Sequence, residues 1–121
     1  MNGPRRLLVV DDEPGFADLV QRVAEGLGYE ATALSDARQF RAVYARVRPD
    51  VIVLDMVMPD VEGMELVRWL SDAGCTARIL VISGYNPYYA KLAHDLGSVG
   101  GLQIEAHAKP IGLARLRELL A

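Results

Sequence analysis

Asp11 and Asp12, Asp55, Ser83 and Lys109 lie far apart in the sequence, yet each follows or closes a short apolar run. The runs are Leu7 to Val10, Val51 to Leu54, Ile79 to Ile82, and a more mixed stretch from Leu102 to Ala108. Three carboxylates gathered in one place repel one another and do not all stay ionised unaided. A divalent cation relieves that repulsion. Magnesium fits best, because it is hard, prefers oxygen and accepts one or two carboxylates together with waters and phosphate oxygens. A lysine adds a second positive charge for phosphate, and a serine adds a hydroxyl donor. No histidine or thiol belongs to the group, which argues against zinc. Taken singly, each residue has a plainer role: acids at a helix N-terminus, a turn at Asp55 or at Ser83-Gly84, a solvated lysine. The conjunction points to a magnesium site beside a phosphate.

Positioning such residues requires elements that end together. Pro14 opens a helix whose stripe is Phe16, Leu19, Val20, Val23 and Leu27, with Gly28 ending it. Glu30 to Leu34 reads as a weaker strand, and Asp36 with Gln39 as a capping box for a second helix carrying Phe40, Val43, Tyr44 and Val47. A third helix carries Met64, Val67 and Leu70, with Leu66 and Trp69 close by, and stops at Gly74. A fourth opens at Pro87 and runs to about Leu96; a fifth holds Leu113, Leu116, Leu119 and Leu120. Strand and helix alternate five times. Runs that are apolar throughout indicate strands buried on both faces of a parallel sheet. The expected fold is α/β: a doubly wound, flavodoxin-like five-stranded parallel sheet of order 2-1-3-4-5 with five helices, as one domain over residues 1–121. In such a sheet, ligands bind beyond the carboxyl ends of the strands, where all the named polar residues fall.

Composition sets the limits. Of 121 residues, 51% are hydrophobic, enough for a core, and the net charge of -3 gives no global basic field for nucleic acid. The single cysteine, Cys75, excludes an internal disulfide, reads as a small semi-buried side chain and fits a reducing compartment. No stretch approaches the roughly 20 apolar residues of a membrane span. The apolar run after Arg5 and Arg6 is too short for a signal peptide and is followed by acids. A cytoplasmic protein without direct nucleic-acid or membrane contact is expected.

The segments VVDDEP (9–14), VLDMVMPDVEG (53–63), VISG (81–84) and AKP (108–110) resemble, in this order and spacing, the receiver domain of two-component response regulators, over essentially the whole chain. The resemblance implies a phosphorelay module. Asp55 is then the phosphoacceptor for a phosphoryl group from a sensor histidine kinase or phosphotransfer protein. Asp12, Asp55 and the backbone carbonyl of Val57 are magnesium ligands, and Asp11 holds a metal-bound water. Ser83 bonds a phosphoryl oxygen. Lys109 pairs with Asp55 before transfer and with the phosphoryl group after it. Pro110 follows a cis peptide bond, and the output passes to an effector domain or a second copy through the region of the fourth helix.

Three departures stand out. The family commonly has Tyr or Phe three residues before its lysine; here Ala106 stands there. Tyr85, Tyr88 and Tyr89 follow Ser83, and either pack ordinarily or, through Tyr85, replace the missing ring. In the family the positions of Val57 and Tyr85 flank the path of hydrolytic water, so the resemblance implies a long-lived phosphorylated state here. Additional length falls in LGSVGGLQ (96–103), a feature similar to receivers attached to cyclic-dinucleotide phosphodiesterases. Two other readings are set against the signalling module. A magnesium-dependent phosphohydrolase commonly places a second aspartate two residues after its nucleophile, whereas Met56 and Val57 follow Asp55. A phosphorylation-independent docking domain gains support only from Ala106. The expectation is a signalling domain, not an enzyme acting on an external substrate.

Overall fold

The computed structural model describes residues 3–55, 63–83, 91, 94, 95, 98 and 100–121. The strands are β1 (Arg6–Val10), β2 (Glu30–Leu34), β3 (Val51–Asp55), β4 (Arg78–Ser83) and β5 (Gln103–Ala108). They form one parallel sheet in the order β2-β1-β3-β4-β5. Four helices are bounded among the described residues: α1 (Pro14–Gly26), α2 (Phe40–Val47), α3 (Gly63–Asp72) and α4 (Leu113–Leu120). The helix expected from Pro87 falls largely outside them, although Lys91, His94, Asp95 and Ser98 are helical.

The apolar strands are explained by helices on both sheet faces. Because successive strand residues point to opposite faces, Leu8, Val10, Ile52, Leu54, Ile79 and Val81 pack with Phe40, Val43, Leu66, Val67 and Leu70 of α2 and α3. Leu7, Val9, Val51, Val53, Leu80 and Ile82 pack with Val20, Ala24, Leu116 and Leu120 of α1 and α4. All five residues of central β3 are buried, whereas edge strand β2 is only partly covered.

Local chemistry fixes the boundaries. Pro14 occupies the first turn of α1, where its missing N–H costs no bond. Gly28 (φ 95°) and Gly74 (φ 70°) take left-handed conformations after α1 and α3. The expected capping box is one-sided: Asp36 accepts from the backbone N–H of Arg38 at 3.0 Å, opening a 3-10 turn, Ala37–Gln39, ahead of α2. Arg48 turns left-handed (φ 51°) to end α2, since the residue before a proline is disfavoured in the helical region. Where α2 meets α3, Phe40, Tyr44 and Trp69 form an aromatic cluster with ring centroids 5.2–6.0 Å apart. Burial, and then the neighbouring Cys75 thiol, push the Tyr44 hydroxyl up to about 12. Cys75 is itself buried.

The end of α4 is tied to the sheet. The Tyr29 hydroxyl donates to the carbonyl of Leu120 (2.7 Å), and Arg78 donates to that of Leu119 (2.5 Å) and, through Nε, to Glu105 (2.7 Å). The Arg78 bond holds the Glu105 carboxyl below its ordinary value against the opposing effect of burial, and His107 adds to the lowering. A carboxyl lowered in the folded state contributes stability above its unfolded pKa and loses it as pH falls through the folded value. Urea unfolding should therefore show wild type more stable than Glu105→Gln near neutrality, by up to about 1 kcal/mol for so exposed a pair. The difference should close below about pH 4.

Candidate functional site

Parallel register brings the chemistry to one edge. Val10 pairs with Leu54, so Asp11 and Asp55 emerge side by side from adjacent strands. The backbone N–H of Asp11 donates to the carbonyl of Leu34 (3.0 Å), extending β1–β2 pairing by one residue. Asp11 and Asp55 are buried, Asp12 is exposed, and each offers a carboxylate oxygen such that the three lie within 4.8 Å of one another.

Asp11 is held on two sides. Its Oδ1 accepts from the backbone N–H of Glu13 (2.9 Å) and its Oδ2 from Lys109 Nζ (2.9 Å). Lys109 comes from the far side of the sheet, just beyond β5. Its ammonium also donates to Glu13 Oε1 (3.0 Å) and stands 4.7 Å from the centroid of the Phe16 ring. These hydrogen bonds go to Asp11 and Glu13, and the charge of Asp55 also acts on the ammonium. Burial alone pushes the ammonium down; the bonds to Asp11 and Glu13 and the charges of Asp11 and Asp55 reverse this and leave it above its ordinary value. Burial raises the Asp11 carboxyl, outweighing the lowering by Lys109 and by the Glu13 N–H.

A magnesium ion suits this donor set. The oxygens converge, all are hard, and a buried carboxyl driven toward its protonated form is one that a cation would relieve. Asp11, Asp12 and Asp55 would hold it. Val57 lies outside the described residues, as do Tyr85, Tyr88 and Tyr89. Ser83 ends β4 opposite Ala108, which puts its backbone at the same edge; its side chain is not among those described. Ala106 is on β5 opposite Val81 and is exposed. The Lys109–Pro110 peptide bond is cis, as the resemblance implies. Two neighbours of Lys109 escaped the sequence reading. Glu13 directly follows the two acids, and Phe16 read as part of a core stripe, where it also packs.

The sequence pattern described as "Response regulator receiver domain" matches residues 7–121. The chain belongs to the response regulator receiver family. Relatives of this receiver domain include the transcriptional regulatory protein TrcR of Mycobacterium tuberculosis, 35% identical over 97% of this chain and 46% of that protein. The response regulator MprA of Mycolicibacterium vanbaalenii is 34% identical over 97% of this chain and 51% of its own. The receiver thus spans about half the length of these relatives. Among solved structures, a response regulator from Colwellia psychrerythraea superposes with a TM-score of 0.81 at 28% identity, over 98% of this chain and 94% of that one. The chemotaxis response regulator CheY4 of Vibrio cholerae does so with 0.80 at 26%, over 97% and 96%. Membership makes the chain a signalling phosphoacceptor domain of the two-component class. No helix among the described residues is long and apolar enough to cross a membrane.

Proposed function

We propose that Asp55 is the phosphoacceptor of this receiver, and that Asp12, Asp55 and the Val57 carbonyl hold a magnesium ion beside it, with Asp11 holding it through a metal-bound water. The observation that carries this is the convergence of three carboxylates within 4.8 Å, with Lys109 bonded to the same group. A carboxylate oxygen of Asp55 forms the new P–O bond as the P–N bond to a donor histidine breaks, and the electron pair stays with the imidazole. A magnesium ion held there would supply positive charge to the phosphoryl oxygens. Asp55, buried at the end of β3, is held in position by the sheet. Lys109 exchanges a carboxylate partner for a phosphoryl oxygen, a charge-assisted bond, and the Ser83 hydroxyl donates to another. The donor is a sensor histidine kinase or a phosphotransfer protein in the cytoplasm. Turnover is confined to the chain's own acyl phosphate. The modified state shifts a surface that engages an effector domain or a second copy; the name of TrcR supports transcription as the class of output.

Incubation with acetyl phosphate and magnesium, followed by intact-mass measurement, tests this reading. One phosphoryl adduct per chain is expected, and none when a chelator removes the metal; an adduct insensitive to chelation would overturn the magnesium role. Magnesium should also stabilise the fold by mass action, by about 2.7 kcal/mol at a hundredfold excess over its dissociation constant. A thermal melt with and without chelator reads this as a rise in Tm.

A further inference from the structure

Lys109 is bonded to one carboxylate of the acidic cluster and to one outside it. Asp11 belongs to the cluster and is buried; Glu13 does not, and its side chain is 67% exposed. The Lys109 side chain is only 14% exposed, so its charge is held in place rather than solvated. The ring of Phe16 lies against the same ammonium at 4.7 Å. A metal ion held by the cluster would therefore compete with Lys109 for Asp11, since each is a cation drawn to the same carboxylate.

We propose that Glu13 is a positioning residue: as the second anchor of Lys109, it draws the ammonium away from Asp11 and so keeps Asp11 available to magnesium. This rests on the magnesium site proposed above. Without the Glu13 charge, Lys109 keeps its hydrogen bond to Asp11 and the attraction of Asp55, both inside the cluster, and magnesium must displace a tighter ion pair. With it, the ammonium keeps a partner as the metal enters, and Phe16 holds it on that side. Glu13 acts through Lys109, not by touching the metal.

The test is a double-mutant cycle on magnesium affinity, measured by calorimetric titration at about 0.15 M salt, where charges further apart than about 8 Å are screened. Glu13→Gln should weaken binding about two- to fivefold, the range expected of an exposed carboxylate's ion pair. In the Lys109→Met background the same change should have no effect, because the competitor is gone, and Lys109→Met alone should tighten binding. Equal weakening in both backgrounds would mean that Glu13 acts only as a distant negative charge, and would overturn the proposal. So would an unchanged affinity in Glu13→Gln, or wild type that binds no magnesium. Phosphorylation of the wild type is scored separately. If magnesium binds and the cycle behaves as stated but Asp55 takes up no phosphoryl group, the phosphoacceptor assignment fails while the role of Glu13 stands.

Discussion

Asp55→Asn should take up no phosphoryl group from acetyl phosphate in magnesium, with the rate falling by more than about a thousandfold. The amide is nearly the size of the carboxylate, but its nitrogen lone pair is delocalised and it offers no anionic oxygen to form the acyl phosphate. The loss is chemical rather than structural. Asp55 closes β3, its backbone pairs with β4, and that pairing is independent of the side-chain charge. Removing one of three clustered charges also lessens repulsion in the metal-free protein. The variant should therefore melt no lower than wild type without magnesium, and gain less when magnesium is added. Intact mass with peptide mapping, next to a thermal melt, separates these outcomes. A phosphoryl adduct surviving in Asp55→Asn would place the acceptor elsewhere and remove the main assignment.

Phe40→Ala should cost about 3–5 kcal/mol of stability, the cost of deleting a fully buried aromatic side chain and leaving a cavity. Phe40 is completely buried, and its ring lies 5.9 Å from Tyr44 and 6.0 Å from Trp69, joining α2 to α3 over the sheet. Domains of this kind have a total stability of about 5–15 kcal/mol, so the variant would be folded only marginally. Urea unfolding followed by Trp69 fluorescence should show the midpoint falling by more than about 1 M at unchanged slope. Leu113→Ala offers the contrast. Leu113 is 45% exposed, and its loss should change stability by no more than about 0.5 kcal/mol. A small effect at Phe40 would show that the cluster repacks around the gap.

Most of the fold was legible because its signals are local. Continuous apolar runs ending in polar residues marked β1, β3 and β4, the mixed stretch before Lys109 marked β5, and the weaker run from Glu30 to Leu34 was bounded as the structure has it. Pro14, Gly28 and Gly74 set helix ends by backbone restrictions that belong to the residue itself. The 3-10 turn at Ala37–Gln39 was not legible. An Asp followed three residues later by Gln suits either a full box or a one-sided cap, and the structure shows the second, with Asp36 accepting from the Arg38 N–H.

Residue types and order by themselves determined the sheet, its parallel winding and the edge at which the acids and the lysine collect, because strand ends and crossover rules follow from covalent chemistry and apolar patterning. The tertiary structure alone decided which charges pair. Lys109 is 96 residues from Glu13 and 98 from Asp11, and no short-range signal states that its ammonium reaches both or rests against Phe16. Coulomb interactions depend on distances of a few ångströms and on burial, and both come into being only when the two sides of the sheet are brought together.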